Sequence, residues 1–222
     1  MNEIENALNS ILKKSDYNLW TQKPFTIKNH VYSTNLHTII KLPKESVGSF
    51  DDCKKEINVK TILELFSFDR KTIFTVNIKD LKNDISKIPL IDEFINSDSE
   101  GKCLECDGDG QVEWEYGFHS KDMDCPVCDG EGVIIDSKRQ KTGNKVKADG
   151  YVIEFNTAKI RSCMIEELIN IADLLKVDKI ELINEKNKFR GIAFKVGIAE
   201  VYMMPIMNVD KEYILNTFES KN

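Results

Sequence analysis

Four cysteines carry the clearest chemistry in this chain. Cys103 and Cys106 form one C-x2-C pair, Cys125 and Cys128 form a second, and 18 residues separate the pairs. Each pair bends two thiolates toward one point, and two pairs complete a tetrahedron around a soft divalent ion, a spacing known from zinc sites. One Zn2+ per chain is therefore expected on Cys103, Cys106, Cys125 and Cys128. Four thiolates leave no open position for water, so the ion is expected to be structural and not catalytic. The same sulfurs also suit iron in a rubredoxin-like site. A redox dithiol is a third reading, although neither pair lies in a βαβ pattern. Cys53 and Cys163 stand alone and are expected as core or half-buried thiols.

The residues after each pair repeat. Cys106 is followed by Asp107-Gly108-Asp109-Gly110 and Cys128 by Asp129-Gly130-Glu131-Gly132, so the unit C-x-x-C-x-G-x-G occurs twice. Glycines at those offsets permit positive φ and a tight turn around a metal. This pattern, from Cys103 to Gly132, resembles the cysteine-rich zinc module of DnaJ-type co-chaperones. Those proteins carry four such units and two metals; two units here imply one metal. No His-Pro-Asp tripeptide occurs in the chain, so the J-domain of that family is missing. The stretch between the pairs alternates polar and apolar through Val112, Trp114 and Tyr116, which predicts a β-hairpin tied by the metal. Trp114, Tyr116 and Phe118 are candidate protein-binding residues. His119 is expected as an exposed hairpin residue.

Charge is unevenly spread. The 222 residues carry 31 Lys+Arg against 37 Asp+Glu, a formal charge of −6. Between Asp98 and Asp136 twelve acids face two bases, Lys102 and Lys121, a net of −10, so the remainder sums to +4. Lys138, Arg139, Lys141, Lys145 and Lys147 follow with no acid among them. Residues 138–149 are read as a basic linker, and its cations as candidate phosphate contacts that would make nucleic-acid binding salt-sensitive. Overall acidity argues against coating nucleic acid by net charge. No apolar run reaches the roughly 18 residues of a membrane span. The start, Met-Asn-Glu-Ile-Glu-Asn, has no signal-peptide core, so a reducing, cytoplasmic location and no membrane partner are expected.

Around the cysteine window lie alternating strands and helices. Ile4, Ala7, Leu8, Ile11 and Leu12 share one helical face over 3–13. Strands are expected at 25–27, 31–34, 37–42 and 71–76, with helices at 57–66 and 78–88. In the C-terminal part, a strand at 151–155 precedes a helix capped by Asn156 or Thr157, with Ile160, Met164, Leu168, Ile171 and Leu175 on one side. Strands at 179–183, 191–196 and 199–205 complete a β-α-β-β-β unit. The expected organisation is an α+β body from 1–97, a zinc-binding hairpin insertion at 98–137, the linker, a C-terminal unit at 150–207 and a tail at 208–222.

That unit, ending in Val201-Tyr-Met-Met-Pro205-Ile-Met, resembles the last half-domain of bacterial and phage DNA sliding clamps. Val31-Tyr-Ser-Thr34-Asn35-Leu-His37 is similar to that family's Ala-Thr-Asp-Gly-His strand end, with Asn35 and Leu36 departing from it. The resemblance covers 20–90 and 148–207. It implies a clamp-like fold built of β-α-β-β-β units, association with DNA replication, and double-stranded DNA, replication proteins or further copies of the chain as partners. In such clamps the helices face DNA, which makes Lys159, Arg161 and Lys176 candidate phosphate contacts. No nucleophile motif, phosphate-binding glycine loop or His-Glu hydrolase pattern is present, and His30 and His37 are expected as structural residues. The function read from the sequence is non-catalytic: a replication-associated zinc protein whose hairpin lends stability and docks proteins. The alternative is a DnaJ-type peptide-binding module with no DNA role.

Overall fold

The computed structural model describes residues 3–12, 22–48, 50–52, 59–68, 71–156, 158–184 and 191–220. The chain divides into two compact units, a body of Met1–Pro89 with Ala148–Asn222, and a ribbon unit of Leu90–Lys147. The fold is mixed α and β with strands predominating. Among the described residues no helix is long and apolar enough to cross a membrane.

The body is built on a seven-stranded antiparallel sheet. Its strands are β1 (Phe25–Ile27), β2 (His30–Thr34), β3 (Thr38–Pro43), β4 (Phe74–Asn77), β11 (Lys179–Asn184), β12 (Ile192–Val196) and β13 (Ala199–Met203). Their spatial order is β1-β2-β3-β13-β12-β11-β4. Residues alternate across the pleat, so each face collects one set of side chains. Val31, Ile40, Leu42, Val76, Ile180, Leu182, Phe194 and Val201 share the first face. There they join apolar residues of α1 (Glu3–Asn9), α3 (Ile78–Ser86) and α4 (Ser162–Leu174) in the main core. On the second face Phe25, Ile27, Tyr32, Ile39, Ala193 and Tyr202 meet Phe66, Phe68 and Ile62 of α2 (Val59–Leu65). A sheet buried on both sides accounts for strands as apolar as Ile39-Ile40-Lys41-Leu42. The lysine in that run is paired: its Nζ lies 2.9 Å from Glu200 Oε2.

A smaller sheet, β10-β9-β14, completes the body, with β9 at Val152–Phe155, β10 at Ala158–Arg161 and β14 at Ile214–Phe218. Phe155 stacks on Phe218 at 5.5 Å and meets Phe194 edge-on at 5.0 Å, joining the two sheets through the core. The carboxylate of Asp84, only 2% exposed, accepts from Lys87 Nζ and Asn216 Nδ2, fastening α3 to β14. Glu167 on α4 likewise accepts from Asn35 Nδ2 and Thr38 Oγ1 at the β2–β3 turn. Leu36 in that turn has φ 77°, a left-handed conformation that a branched side chain adopts at some cost.

Three expectations for the body need correction. The long helix does not begin at Asn156 or Thr157: Asn156 turns the chain at φ 48°, Ala158–Arg161 pairs back on β9, and the helix starts at Ser162. Ile160 points into the core from a strand, where its spacing mimicked the helical stripe. The residues expected as a tail include β14, which runs parallel to β9. Cys163 is exposed near the start of α4 and is no core thiol. Cys53 and residues 54–58 lie outside the described residues.

In the ribbon unit, β5 (Leu90–Lys102) and β8 (Val133–Lys147) form a two-stranded antiparallel ribbon, and β6 (Gln111–Tyr116) pairs with β7 (His119–Asp124). The unit spans 90–147, wider than the expected 98–137, and the supposed linker is largely strand. Its basic residues hid the pairing because their partners lie on β5. Asp92 faces both Lys141 and Lys145. Between them Thr142-Gly143-Asn144 bulges out opposite Glu93, whose carboxylate accepts from Thr142 Oγ1 and Asn144 Nδ2. Arg139 stacks its guanidinium 4.2 Å from the Phe94 ring centre.

Candidate metal centre

The two cysteine loops are copies of one local structure. After Cys103 and after Cys125 the chain makes the same set of turns. Gly108 N donates to Cys103 O and Gly130 N to Cys125 O, while Asp109 N donates to Cys106 O and Glu131 N to Cys128 O. Asp107 and Asp129 both take positive φ, 51° and 48°. The loops then cross-link reciprocally: Cys103 N donates to Gly132 O at 2.9 Å and Cys125 N to Gly110 O at 2.8 Å. A pseudo-twofold axis thus relates the halves, as the repeated C-x-x-C-x-G-x-G suggests.

The last glycine of each repeat is required by close approach. A Cβ on Gly110 would lie 2.2 Å from the Gly130 carbonyl oxygen, and one on Gly132 would lie 2.3 Å from that of Gly108. With no side chain there, each glycine amide reaches a sulfur. Gly110 N donates to Cys106 Sγ at 3.3 Å and Gly132 N to Cys128 Sγ at 3.2 Å.

All four sulfurs are buried and lie within 4.8 Å of one another. Cys103 and Cys125 sulfurs are 3.8 Å apart, Cys106 and Cys128 sulfurs 3.7 Å. A tetrahedron with metal–sulfur bonds of about 2.3 Å has edges of about 3.8 Å. The donor set therefore fits a tetrahedral thiolate-bound metal ion. Burial raises the thiol pKa on both second-position cysteines. On Cys106 the amides of Gly110 and Gly108 and the Cys103 thiol outweigh burial and bring it down to about 7. On Cys128 the neighbouring cysteines add to burial and push it up to about 11. Thiols this close lose protons in succession, each loss opposing the next. A divalent cation at their centre removes that opposition.

Apolar packing around the cysteines is sparse. Val112 is the apolar residue packed on the cysteine cluster. Trp114, Tyr116 and Phe118 are 59%, 88% and 106% exposed, with Phe118 in the two-residue turn after Gly117. His119 is exposed opposite Tyr116.

The candidate phosphate contacts are dispersed. Lys138, Arg139, Lys141, Lys145 and Lys147 lie along β8, with Lys138 on the opposite face from Arg139 and Lys141. In the body, Lys159 Nζ reaches the Val209 carbonyl at 3.4 Å, Arg161 is exposed just before α4, and Lys176 pairs with Glu3 at 2.5 Å. Sequence reasoning missed Asp92 and Glu93, whose partners lie some 50 positions onward.

No family model matches the chain, and no curated protein matches it. Solved structures similar in fold are DNA polymerase sliding clamps. That of Pseudomonas aeruginosa has a TM-score of 0.47 at 6% identity, over 93% of this chain and 63% of that one. The Caulobacter crescentus clamp gives 0.46 at 7%, over 93% and 63%. A Bartonella birtlesii clamp gives 0.42 at 10%, over 93% and 65%. The chain thus spans under two thirds of the length of these clamps.

Proposed function

We propose that this chain is a non-catalytic zinc-binding protein associated with DNA replication, in which one structural Zn2+ fixes the distal end of the ribbon unit and the hairpin beyond it docks a protein partner. The observation that carries the zinc reading is the set of four buried sulfurs within 4.8 Å of one another, flanked by two reciprocally bonded loops; four thiolates on one tetrahedral ion would leave no position for a substrate or water. Support for replication comes from the strand ends at 31–37 and 201–207, which resemble those of sliding clamps. Support for nucleic acid comes from charge. The segments 90–97 and 137–147 carry two acids and five bases, a net of +3, while 98–136 carries −10. Phosphate would be drawn to the first and repelled by the second.

Size-exclusion chromatography with light scattering and metal analysis, run with and without a short duplex at two salt concentrations, tests the proposal. One zinc per chain and a salt-sensitive shift on DNA are expected. A zinc-loaded monomer indifferent to DNA would favour the second reading, a DnaJ-type peptide-binding module, for which the exposed aromatics speak. Absence of bound metal would remove both.

A further inference from the structure

Dispersed as the candidate phosphate contacts are over the whole chain, four of them form an ordered set. Arg139, Lys141, Lys145 and Lys147 stand in the sequence at uneven steps of two, four and two residues. In the ribbon they pair with Asn96, Phe94, Asp92 and Leu90, which follow one another at every second residue of β5. The bulge at 142–144 takes up the two surplus residues, and Glu93 holds it through Thr142 Oγ1 and Asn144 Nδ2. Paired residues share a face and faces alternate along a strand, so the four cations share one face, about 7 Å apart from rung to rung. All four are exposed.

Contacts within the ribbon arrange this row without using it up. Asp92, the one acid on the same four rungs, meets both Lys141 and Lys145 and sets them side by side. An ammonium has three donors, so each lysine keeps others for a second anion. Arg139 sits 4.2 Å over the Phe94 ring centre, and its donors lie in the guanidinium plane, which stacking leaves accessible. Four cations against Asp92 leave this face at a net of +3. Along the same stretch the other face presents Ile91, Glu93 and Ile95 with Gln140 and Val146, one acid and no cation. Lys138 lies on that other face, one rung further on, outside the row.

We propose that this row binds the phosphates of one nucleic-acid strand, about one phosphate to each rung, without reading bases. The proposal rests on the nucleic-acid reading above and adds the face, the number of contacts and the bulge that aligns them. The rung spacing is on the scale of successive phosphates along a strand. An even row suits a regular polyanion, where a tight cluster would suit a single phosphate. Further along the same face Ile135 and Val133 stand opposite Glu100 and Lys102, so the cationic row stops before the acidic hairpin.

The test titrates the full-length, zinc-loaded protein with a short fluorescent DNA duplex and with one of its strands, over a series of salt concentrations. The slope of log K against log salt should be about −3.6 on the duplex and about −2.8 on the single strand, the values for four phosphates. Lys141→Gln should weaken binding several-fold and reduce the duplex slope by about 1. The variant Lys141→Gln/Gln140→Lys restores the net charge on the opposite face, and it should bind as weakly as Lys141→Gln alone. Cobalt substitution, read by its thiolate absorption, and an unchanged thermal transition of the body confirm that both variants fold. Recovery of wild-type affinity and slope in the double variant would show that net charge alone attracts the strand; it would overturn the row and leave the nucleic-acid reading standing. No salt-sensitive binding to either probe would overturn both.

Discussion

The body and the ribbon unit are stabilised by different physics. In the body, a sheet is buried on both faces and side chains such as Leu168, Ile171, Phe155 and Phe194 are wholly removed from water. Among the described residues of the ribbon unit the buried side chains are those of the four cysteines, while Leu90, Ile95, Ile135 and Leu104 remain more than half exposed. Two-stranded ribbons are marginal alone in water. Hydrophobic burial therefore explains the first unit; in the second, four buried cysteines could hold a metal ion, and coordination in structural zinc sites is worth about 10–16 kcal/mol. A unit held by coordination would not need to bury its aromatic residues, and Trp114, Tyr116 and Phe118 are exposed.

The largest expected effect falls on one unit only. Cys103→Ser should abolish tight metal binding and remove hydrogen-exchange protection between residues 103 and 132, with the body's thermal transition unchanged. Phe155→Ala should do the reverse, costing the body about 3–5 kcal/mol through the cavity left beside Phe194 and Phe218, as read by denaturant titration, while zinc affinity stays the same. Gly110→Ala forces a methyl against the Gly130 carbonyl and disturbs the amide that serves Cys106. It should weaken zinc by ~10–100-fold, measured by competition with a chelator. The smallest effect concerns acid. Lys141 and Lys145 hold the Asp92 carboxyl below its usual range, and Thr142 and Asn144 do the same for Glu93. Depressed values mean that their stabilisation is complete above the unfolded pKa of about 4 and is lost as pH falls through the lower, folded values. Amides flanking the 142–144 bulge should lose protection there, and Glu93→Gln should blunt the dependence.

The four-cysteine cluster was almost fully legible, because C-x-x-C-x-G-x-G specifies the cysteines and their turn chemistry within eight residues, and both copies fold alike. The hairpin was legible from the alternation at Val112, Trp114 and Tyr116. Local periodicity also found most body strands and helices, since Ile39–Leu42 or Met164–Ile171 carry their own burial pattern. What failed was non-local. β10 was absorbed into a helix because Ile160 lies four residues before Met164. β8 read as a linker because its basic residues and bulge are matched by Asp92, Glu93 and Phe94, far back in the chain. The pairing of β14 with β9 leaves no trace in the tail's composition.

Hydrogen exchange on the full-length protein, before and after removal of metal with a chelator, tests the division between the two units most directly. Protection between residues 103 and 132 is expected to collapse without metal while strands β11, β12 and β13 exchange as slowly as before. Unchanged protection in the cysteine loops, or loss that spreads through the body's central strands, would contradict it.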